Sequence, residues 1–254
     1  AIYASGDDAV GECYNDSEFD ESVTIDGGGD VGLNSITLTA PEGERHDGTR
    51  DTGARIVMSS GISASILRNA NIAEKGDPKT FIEWMSVSNP HDCEGGITTA
   101  GGVIRHCLAY ACYDTIGYDM RGISTNTNNY AAYIHNSICH NIYQVGPNQP
   151  ASDDCRGIEG PAPGGSVFAL GIWNCTVYDV HTDANTALYG IRFIDDSSSE
   201  GKNCISTDPS SDGTGAVGCF NSASNISVSN NASSDGTAPG SNSLTNIVTS
   251  DQFV

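Results

Sequence analysis

Lys202-Asn203-Cys204-Ile205-Ser206-Thr207-Asp208-Pro209-Ser210-Ser211-Asp212-Gly213-Thr214 and Asn225-Ile226-Ser227-Val228-Ser229-Asn230-Asn231-Ala232-Ser233-Ser234-Asp235-Gly236-Thr237 read as one unit written twice, 23 residues apart. Each is a short alternating segment closed by the same Ser-Ser-Asp-Gly-Thr turn. A fixed period of this length is the mark of a solenoid. The unit recurs upstream with looser spacing. Ile104-Arg105-His106-Cys107-Leu108-Ala109-Tyr110-Ala111-Cys112 lines up with Ile134-His135-Asn136-Ser137-Ile138-Cys139-His140-Asn141-Ile142, and both with Ile172-Trp173-Asn174-Cys175-Thr176-Val177-Tyr178-Asp179-Val180. The offsets of 30 and 38 residues imply insertions. Period two with β-branched residues specifies strands, and no stretch sustains a helical period.

A coil of about 23 residues holds three short strands and three turns, and stacking such coils at the inter-strand spacing of about 4.8 Å gives a parallel β-helix. The fold class expected is all-β: a right-handed parallel β-helix of roughly ten coils, a rod on the order of 40–50 Å long. In that register Cys107, Ser137, Cys175, Cys204 and Ser227 form one inward ladder. His106, Asn136, Asn174 and Asn203 form a second at a bend. A β-sandwich, the main rival, needs hairpins with two-residue turns, and the chain-wide Asn-Cys/Ser register argues against it.

The chain has 254 residues, 37% hydrophobic and 7% aromatic, with 30 glycines. That suits a narrow core of Ile, Val, Ala, Cys and Ser. Residues 1–53 read as an acidic N-terminal cap and 54–254 as the β-helix, with inserted loops near 113–129 and 144–165. The tail from Ser241 to Val248 reads as a last partial coil. No apolar run reaches the ~18–20 residues of a membrane span. The opening Ala1-Ile2-Tyr3-Ala4-Ser5-Gly6 lacks a basic and apolar leader, so either a signal or an initiator Met has been removed. Net charge is −21, which disfavours nucleic acid. The acidity suits a soluble protein in a salty setting, with calcium or a cationic partner as the sharper reading.

The nine cysteines are odd in number and lack a disulfide framework. Three fall on one repeat position, so they read as buried free thiols made in a reducing cytoplasm. Cys93 and Cys155, set in polar sequence, are the expected exceptions.

The Asn-Cys/Ser coils, the strand Phe81-Ile82-Glu83-Trp84 and the ending Asn230-Asn231-Ala232-Ser233-Ser234-Asp235-Gly236-Thr237 resemble right-handed parallel β-helix proteins of the pectin-lyase-like superfamily. Gly11-Glu12-Cys13-Tyr14-Asn15-Asp16-Ser17-Glu18-Phe19 is similar to the start of β-helix proteins from marine bacteria and their phages. In the phage setting the resemblance implies a virion component: head decoration, head fibre or tail appendage.

Enzymes of that superfamily leave residues to look for. Hydrolysis needs paired carboxylates. Asp195-Asp196 and Asp153-Asp154 are Asp pairs, and His181-Thr182-Asp183 is only loosely like the Asn-Thr-Asp of polygalacturonases. Gly-His-Gly is absent, and Arg192-Phe193-Ile194 is not Arg-Ile-Lys. A lyase needs an Arg or Lys base beside Ca²⁺; Arg105, Arg121, Arg156 and Arg192 are the interior arginines, and pairing with Asp or Glu is their commoner role. His91-Asp92-Cys93 and His135 with His140 hold metal-ligand types without zinc spacing. The Asp208–Gly213 and Ser233–Gly236 turns match no calcium loop, and ordinary Asp-Gly turns explain them. Sequons occur at Asn15, Asn174, Asn225 and Asn231.

The sequence thus assigns no catalytic, cofactor-binding or metal residue. The expected function is a non-catalytic structural protein of a phage virion, self-associating as a trimer with other virion proteins, and secretion is the alternative location. The second reading is a carbohydrate-binding or adhesive module using the 113–129 and 144–165 loops, whose neighbourhood carries Tyr113, Tyr118, Tyr130, Tyr133 and Tyr143. A polysaccharide lyase or hydrolase comes third.

Overall fold

The computed structural model describes residues 4–25, 32–60, 66–68, 79–115, 119–125, 131–145, 154–160, 170–193, 199–222 and 226–249. The strands are β1 (Asp8–Glu12), β2 (Val23–Ile25), β3 (Ser35–Thr39), β4 (Arg55–Val57), β5 (Ile66–Arg68), β6 (Thr80–Glu83) and β7 (Ser86–Asp92). Next come β8 (Gly95–Thr99), β9 (Gly102–Arg105), β10 (Leu108–Asp114), β11 (Met120–Thr125), β12 (Ala132–His135), β13 (Ile138–Gln144) and β14 (Cys155–Glu159). The last are β15 (Leu170–Trp173), β16 (Thr176–Thr182), β17 (Leu188–Phe193), β18 (Glu200–Lys202), β19 (Ile205–Ser211), β20 (Val217–Ser222), β21 (Ser227–Ser229) and β22 (Ala232–Ser233).

Three wholly parallel sheets result. Sheet A stacks β1-β3-β6-β9-β12-β15-β18-β21, sheet B stacks β4-β7-β10-β13-β16-β19-β22, and sheet C stacks β2-β5-β8-β11-β14-β17-β20. From β3 to β20 the chain visits A, B and C in turn, one strand of each per coil; in the first coil an isolated bridge from Phe19 to Ile56 stands in for a sheet B strand. This is the expected right-handed parallel β-helix. Eight levels in sheet A span about 35 Å. Residue count alone suggested about ten, but several coils are long: Ile36 pairs Thr80, Ile104 pairs Ile134, and Ile134 pairs Ile172.

The bends follow from local chemistry. Between sheets A and B the chain takes positive φ at Trp84, His106, Asn136, Asn174, Asn203 and Asn230. Asn enters this left-handed region most cheaply among residues with a Cβ, because its short polar side chain bonds locally. The Asn174 amide donates to Asn136 and the Asn203 amide to Asn174, both at 3.0 Å. A second left-handed ladder, Ala111, Asn141, Asp179 and Asp208, bends β10, β13, β16 and β19 of sheet B at their middles.

Inside, Ile82, Ile104, Ile134 and Ile172 stack on sheet A, and Ile97, Ile123, Ile158 and Ile191 on sheet C, all fully buried. Each is worth about 2–3 kcal/mol against exposure. Sheets B and C converge over a glycine ladder. A Cβ on Gly122 would stand 2.0 Å from Cys139 Sγ, and one on Gly157 2.4 Å from Val177. No side chain fits there.

The first register reading is corrected. Lys202 pairs Ser229 and Ile205 pairs Ala232, so the final coils are offset by 27 residues, not 23. Asn231 Oδ1, not Ser227, meets the Cys204 amide, at 3.0 Å. The twin Ser-Ser-Asp-Gly-Thr turns share self-bonding turn chemistry and sit on different levels. The first passes beside Thr182 and Ala184, and the second covers the end of sheet C.

The N-terminal residues join the stack, with β1 and β3 in sheet A and β2 in sheet C. The two segments read as loops contain β11 and β14, while 126–130, 146–153 and 161–165 lie outside the described residues. The tail makes a short last level: Ser229 bridges Ser241, Ala232 bridges Leu244, and Asn242 repeats the left-handed bend.

Candidate functional site

Side chains on the outer face of a coil stack over those of the next, so a suitable residue repeated at one position becomes a continuous strip. Sheet B carries two aromatic strips. Tyr110, His140 and Tyr178 stack with centroids 5.7 and 4.6 Å apart, the latter pair nearly parallel at 3°. Tyr113, Tyr143 and His181 follow at 5.0 and 5.9 Å. Beside them runs the polar strip Asn141, Asp179 and Asp208, aimed outward by the left-handed bend. The Tyr143 hydroxyl donates to Asp179 at 2.5 Å, and His140 Nδ1 pairs with the Asn141 oxygen.

The segment from His46 to Gly53 folds over the near end of this face. His46 Nε2 bonds the His106 carbonyl at 2.7 Å, and the Tyr110 hydroxyl donates to Asp51 at 3.1 Å. Tyr110 is left 4% exposed, while Tyr178, two levels on, stays half-exposed. At this step lies an open cavity of about 460 Å³, lined by Gly48, Thr49, Arg50, His140, Asn141 and Tyr178. Burial lowers the affinity of His140 for a proton, more than Asn141 and Asp179 restore it. Burial, with the bond to Asp179, lifts the Tyr143 phenol to about 12. At neutral pH the Tyr110, His140 and Tyr178 strip is therefore uncharged.

Sheet C presents the opposite arrangement. Arg121 stacks on Arg156, and Ser124, Glu159 and Arg192 occupy successive levels of the neighbouring ladder. Glu159 takes Arg121 at 2.6 Å, Arg156 at 3.0 Å and Arg192 at 3.4 Å. Asp154 takes Arg156 and Arg192, and Asp119 takes Arg121. Three guanidiniums meet three carboxylates. Burial opposes the charge on Arg156, but Glu159, Asp119 and Asp154 raise its basicity above the ordinary value. Arg105 is likewise bound, to Glu83. All four interior arginines proposed for lyase chemistry are thus held by carboxylates.

Other candidates do not converge. His181 faces out and Thr182 is fully buried, while Asp183 is exposed. His91 is exposed and Cys93 fully buried, and the Asp92 side chain lies outside the described residues. His135 belongs to sheet A and His140 to sheet B. Among the described residues no group of three metal-ligand side chains gathers. Asp153, Asp195, Asp196, Tyr118, Tyr130 and Asn225 lie outside the described residues. Asn231 is buried and Asn174 is tied into the amide ladder.

All nine cysteines are free, and eight are buried. Cys93 and Cys155, expected as exceptions, are fully buried strand-edge residues of the core. Burial raises the Cys107 thiol to about 12 and pushes Cys139 and Cys155 further up, so these sulfurs pack as apolar groups.

The sheet B strip was not singled out from the sequence, although Tyr110, His140 and Tyr178 occupy the seventh column of the three aligned upstream segments. The cavity wall at Gly48–Arg50 has no counterpart in the repeat. No family model, curated protein or solved structure matches the chain, so its function is argued from this geometry.

Proposed function

We propose that the protein is a non-catalytic structural β-helix displayed on a phage particle, as head decoration, head fibre or tail appendage. The observation that carries this reading is the unbroken stack: three parallel sheets run from β1 to β22, and the tail closes the far end. Such a rod holds its shape without a partner, and its interior arginines are spent on internal ion pairs. Free, inert thiols suit assembly in a reducing host cytoplasm. The resemblance of the coils to pectin-lyase-like proteins, and of residues 11–19 to β-helix proteins of marine bacteria and their phages, supplies the setting. Cryo-EM of native source material tests it. Regular occupancy on a capsid or tail is the expected result, and isolated soluble molecules would refute it. A trimer with neighbouring virion proteins is part of the same proposal.

A second reading is favoured by one observation, the aromatic and polar strips of sheet B. Paired aromatic and amide or carboxylate groups on a rigid face suit a carbohydrate-binding or adhesive module. The two readings are compatible, since a displayed rod is a natural carrier of an adhesive face.

A further inference from the structure

We infer that segment 45–53 is a proton-released strap: neutral His46 latches it across the start of sheet B, and a proton on His46 lets it lift and uncover Tyr110. The inference goes beyond both functional readings and depends on neither.

The segment is built as one piece. Its neck is the bond from the Ala54 amide to the Glu44 carbonyl, 2.7 Å. At Gly53 the returning chain passes so close that a Cβ would stand 2.1 Å from the His46 nitrogen. Beyond the neck the loop bonds to itself, with Asp47 accepting from the Thr49 amide at 2.9 Å and the Thr52 hydroxyl at 3.0 Å. It is joined to the β9–β10 level by His46 Nε2 on the His106 carbonyl, 2.7 Å, and by the Tyr110 hydroxyl on Asp51, 3.1 Å. Under it Tyr110 is only 4% exposed.

The latch fits one protonation state. The Gly48 amide donates to His46 Nδ1 at 3.2 Å, so that nitrogen is a bare acceptor and the ring proton sits on Nε2, facing the His106 carbonyl. A second proton would set two donors face to face at Nδ1. It would also charge a ring that is 7% exposed and packed 6.1 Å from Trp84. The surrounding charges do not offset this. From the stack, His106 faces the ring and lies on Trp84 at 4.3 Å, with the Glu83–Arg105 pair beyond it. On the strap, Arg45 covers the same Trp84 at 4.6 Å, Asp47 is held by Thr49 and Thr52, and Arg50 pairs with Asp51 at 3.6 Å. Burial outweighs the pull of the His106 carbonyl and Asp47, so His46 takes a proton less readily than a free imidazole. Lifting returns the ring to water and to its ordinary value of 6.5, so the lifted form binds more protons and gains as pH falls. His140 lines the recess beside Thr49 and Arg50, and its lowered proton affinity acts in the same direction.

The test uses the whole purified chain, labelled with ¹⁵N and ¹³C, between about pH 8 and pH 5. Nitrogen shifts of His46 at the upper end should show Nε2 protonated and Nδ1 bare; the opposite tautomer overturns the latch. Below pH 6.5, exchange of the Gly48 amide, corrected for its intrinsic pH dependence, should quicken by up to about tenfold per pH unit. Over the same range the proximity of Gly48 to the Ile138 methyl should fade. His46→Gln still has a donor for the His106 carbonyl and takes no proton, so the slope should flatten. A slope as steep as the parent's would assign the response to another group and overturn the latch. Gly48 exchange that ignores pH, or that equals the exchange of Ile104 and Ile134 at every pH as global unfolding would make it, overturns the strap. The tautomer and exchange measurements need no variant, so they decide the matter even if His46→Gln does not fold.

Discussion

Replacing Asp235 by Ala should open the C-terminal end of sheet C. Among the described residues β20 is the last strand of that sheet, and no further strand pairs with its outward amides. Asp235 Oδ2 accepts the Cys219 amide at 2.9 Å, and Oδ1 accepts the Thr237 amide at 2.9 Å and the Thr237 hydroxyl. Thr237 Oγ1 in turn accepts the Phe220 amide at 2.9 Å. One carboxylate thus replaces an edge neighbour directly and positions the hydroxyl that replaces a second. A hydrogen bond to a charged group contributes about 1.5–3 kcal/mol and a neutral one about 1. The site is half-exposed, so water recovers part of this, and the net loss is about 1–2 kcal/mol. That corresponds to roughly 5- to 30-fold faster amide exchange at Cys219 and Phe220. Ile191, one level inward, should keep its protection because end fraying in a stack is local. If the end coil melts with the whole rod, the thermal midpoint falls by about 2–8 °C. Asp235→Asn, which keeps one acceptor oxygen but turns an NH2 donor toward the other amide, should recover only part of the protection. Burial alone would raise the Asp235 carboxyl, but bonds from Thr237 and Cys219 carry it below the ordinary value. A lowered folded pKa means the cap is intact above the unfolded value and is lost as pH falls through the folded one, so mild acid leaves it closed. Unchanged exchange at Cys219 and Phe220 in Asp235→Ala would refute the capping role. Sedimentation velocity adds a second readout, because an uncapped edge invites end-to-end pairing.

Ala111 holds φ 48° where the next levels have Asn141 and Asp179; Ala111→Asn should stabilise the fold by about 1 kcal/mol in urea denaturation, and Asn141→Ala should cost a similar amount. Gly122→Ala drives a methyl into Cys139 Sγ and should cost about 1–3 kcal/mol by the same assay, more than Ala at the exposed Gly236, where a Cβ meets open space. Glu159→Gln leaves three guanidiniums sharing two carboxylates; because Arg121 and Arg192 remain partly solvated, the expected loss is about 2–3 kcal/mol, reduced by high salt. His46 and His140 have lowered proton affinity, chiefly from burial. The unfolded chain therefore binds more protons below about pH 6.5, and stability should fall as pH drops from there toward the folded values, by at most about 1.4 kcal/mol per pH unit per imidazole. Urea midpoints across that interval check the sign.

The repeat was legible wherever one residue type recurs for one physical reason. Asn136, Asn174 and Asn203 repeat because a left-handed bend favours Asn, and Cys107, Ser137, Cys175 and Cys204 repeat because a narrow corner admits only small side chains. The same logic was present and unread in the third strand of each coil. Gly96-Ile97, Gly122-Ile123, Gly157-Ile158 and Gly190-Ile191 mark the successive sheet C strands β8, β11, β14 and β17, with Arg or Tyr before the glycine in three of the four. Pro and Gly around these strands made 113–129 and 144–165 look like loops only. The 23-residue offset misled because turn residues are chosen by local self-bonding, which reports a turn and not its level. The Arg50 wall was illegible for a different reason: it comes from a single excursion between β3 and β4, outside the period.

The two outer faces compared, sheets B and C, divide the work of the rod between them. On sheet C Arg121, Arg156 and Arg192 are each matched to carboxylates within hydrogen-bonding reach, so a ligand entering there would have to break internal pairs. On sheet B the outward groups are rings, amides and carboxylates joined by single hydrogen bonds instead of a closed ion-pair cluster, and the covering segment leaves a recess beside them. A stacked scaffold makes this division easy, since a strip of pairs and a strip of open groups differ only in what stands at one position per coil. Removing Glu159 should therefore weaken the rod and leave saccharide binding intact once folded, whereas removing Tyr178 should do the reverse. Loss of both properties in either single variant would show that the two faces are not independent.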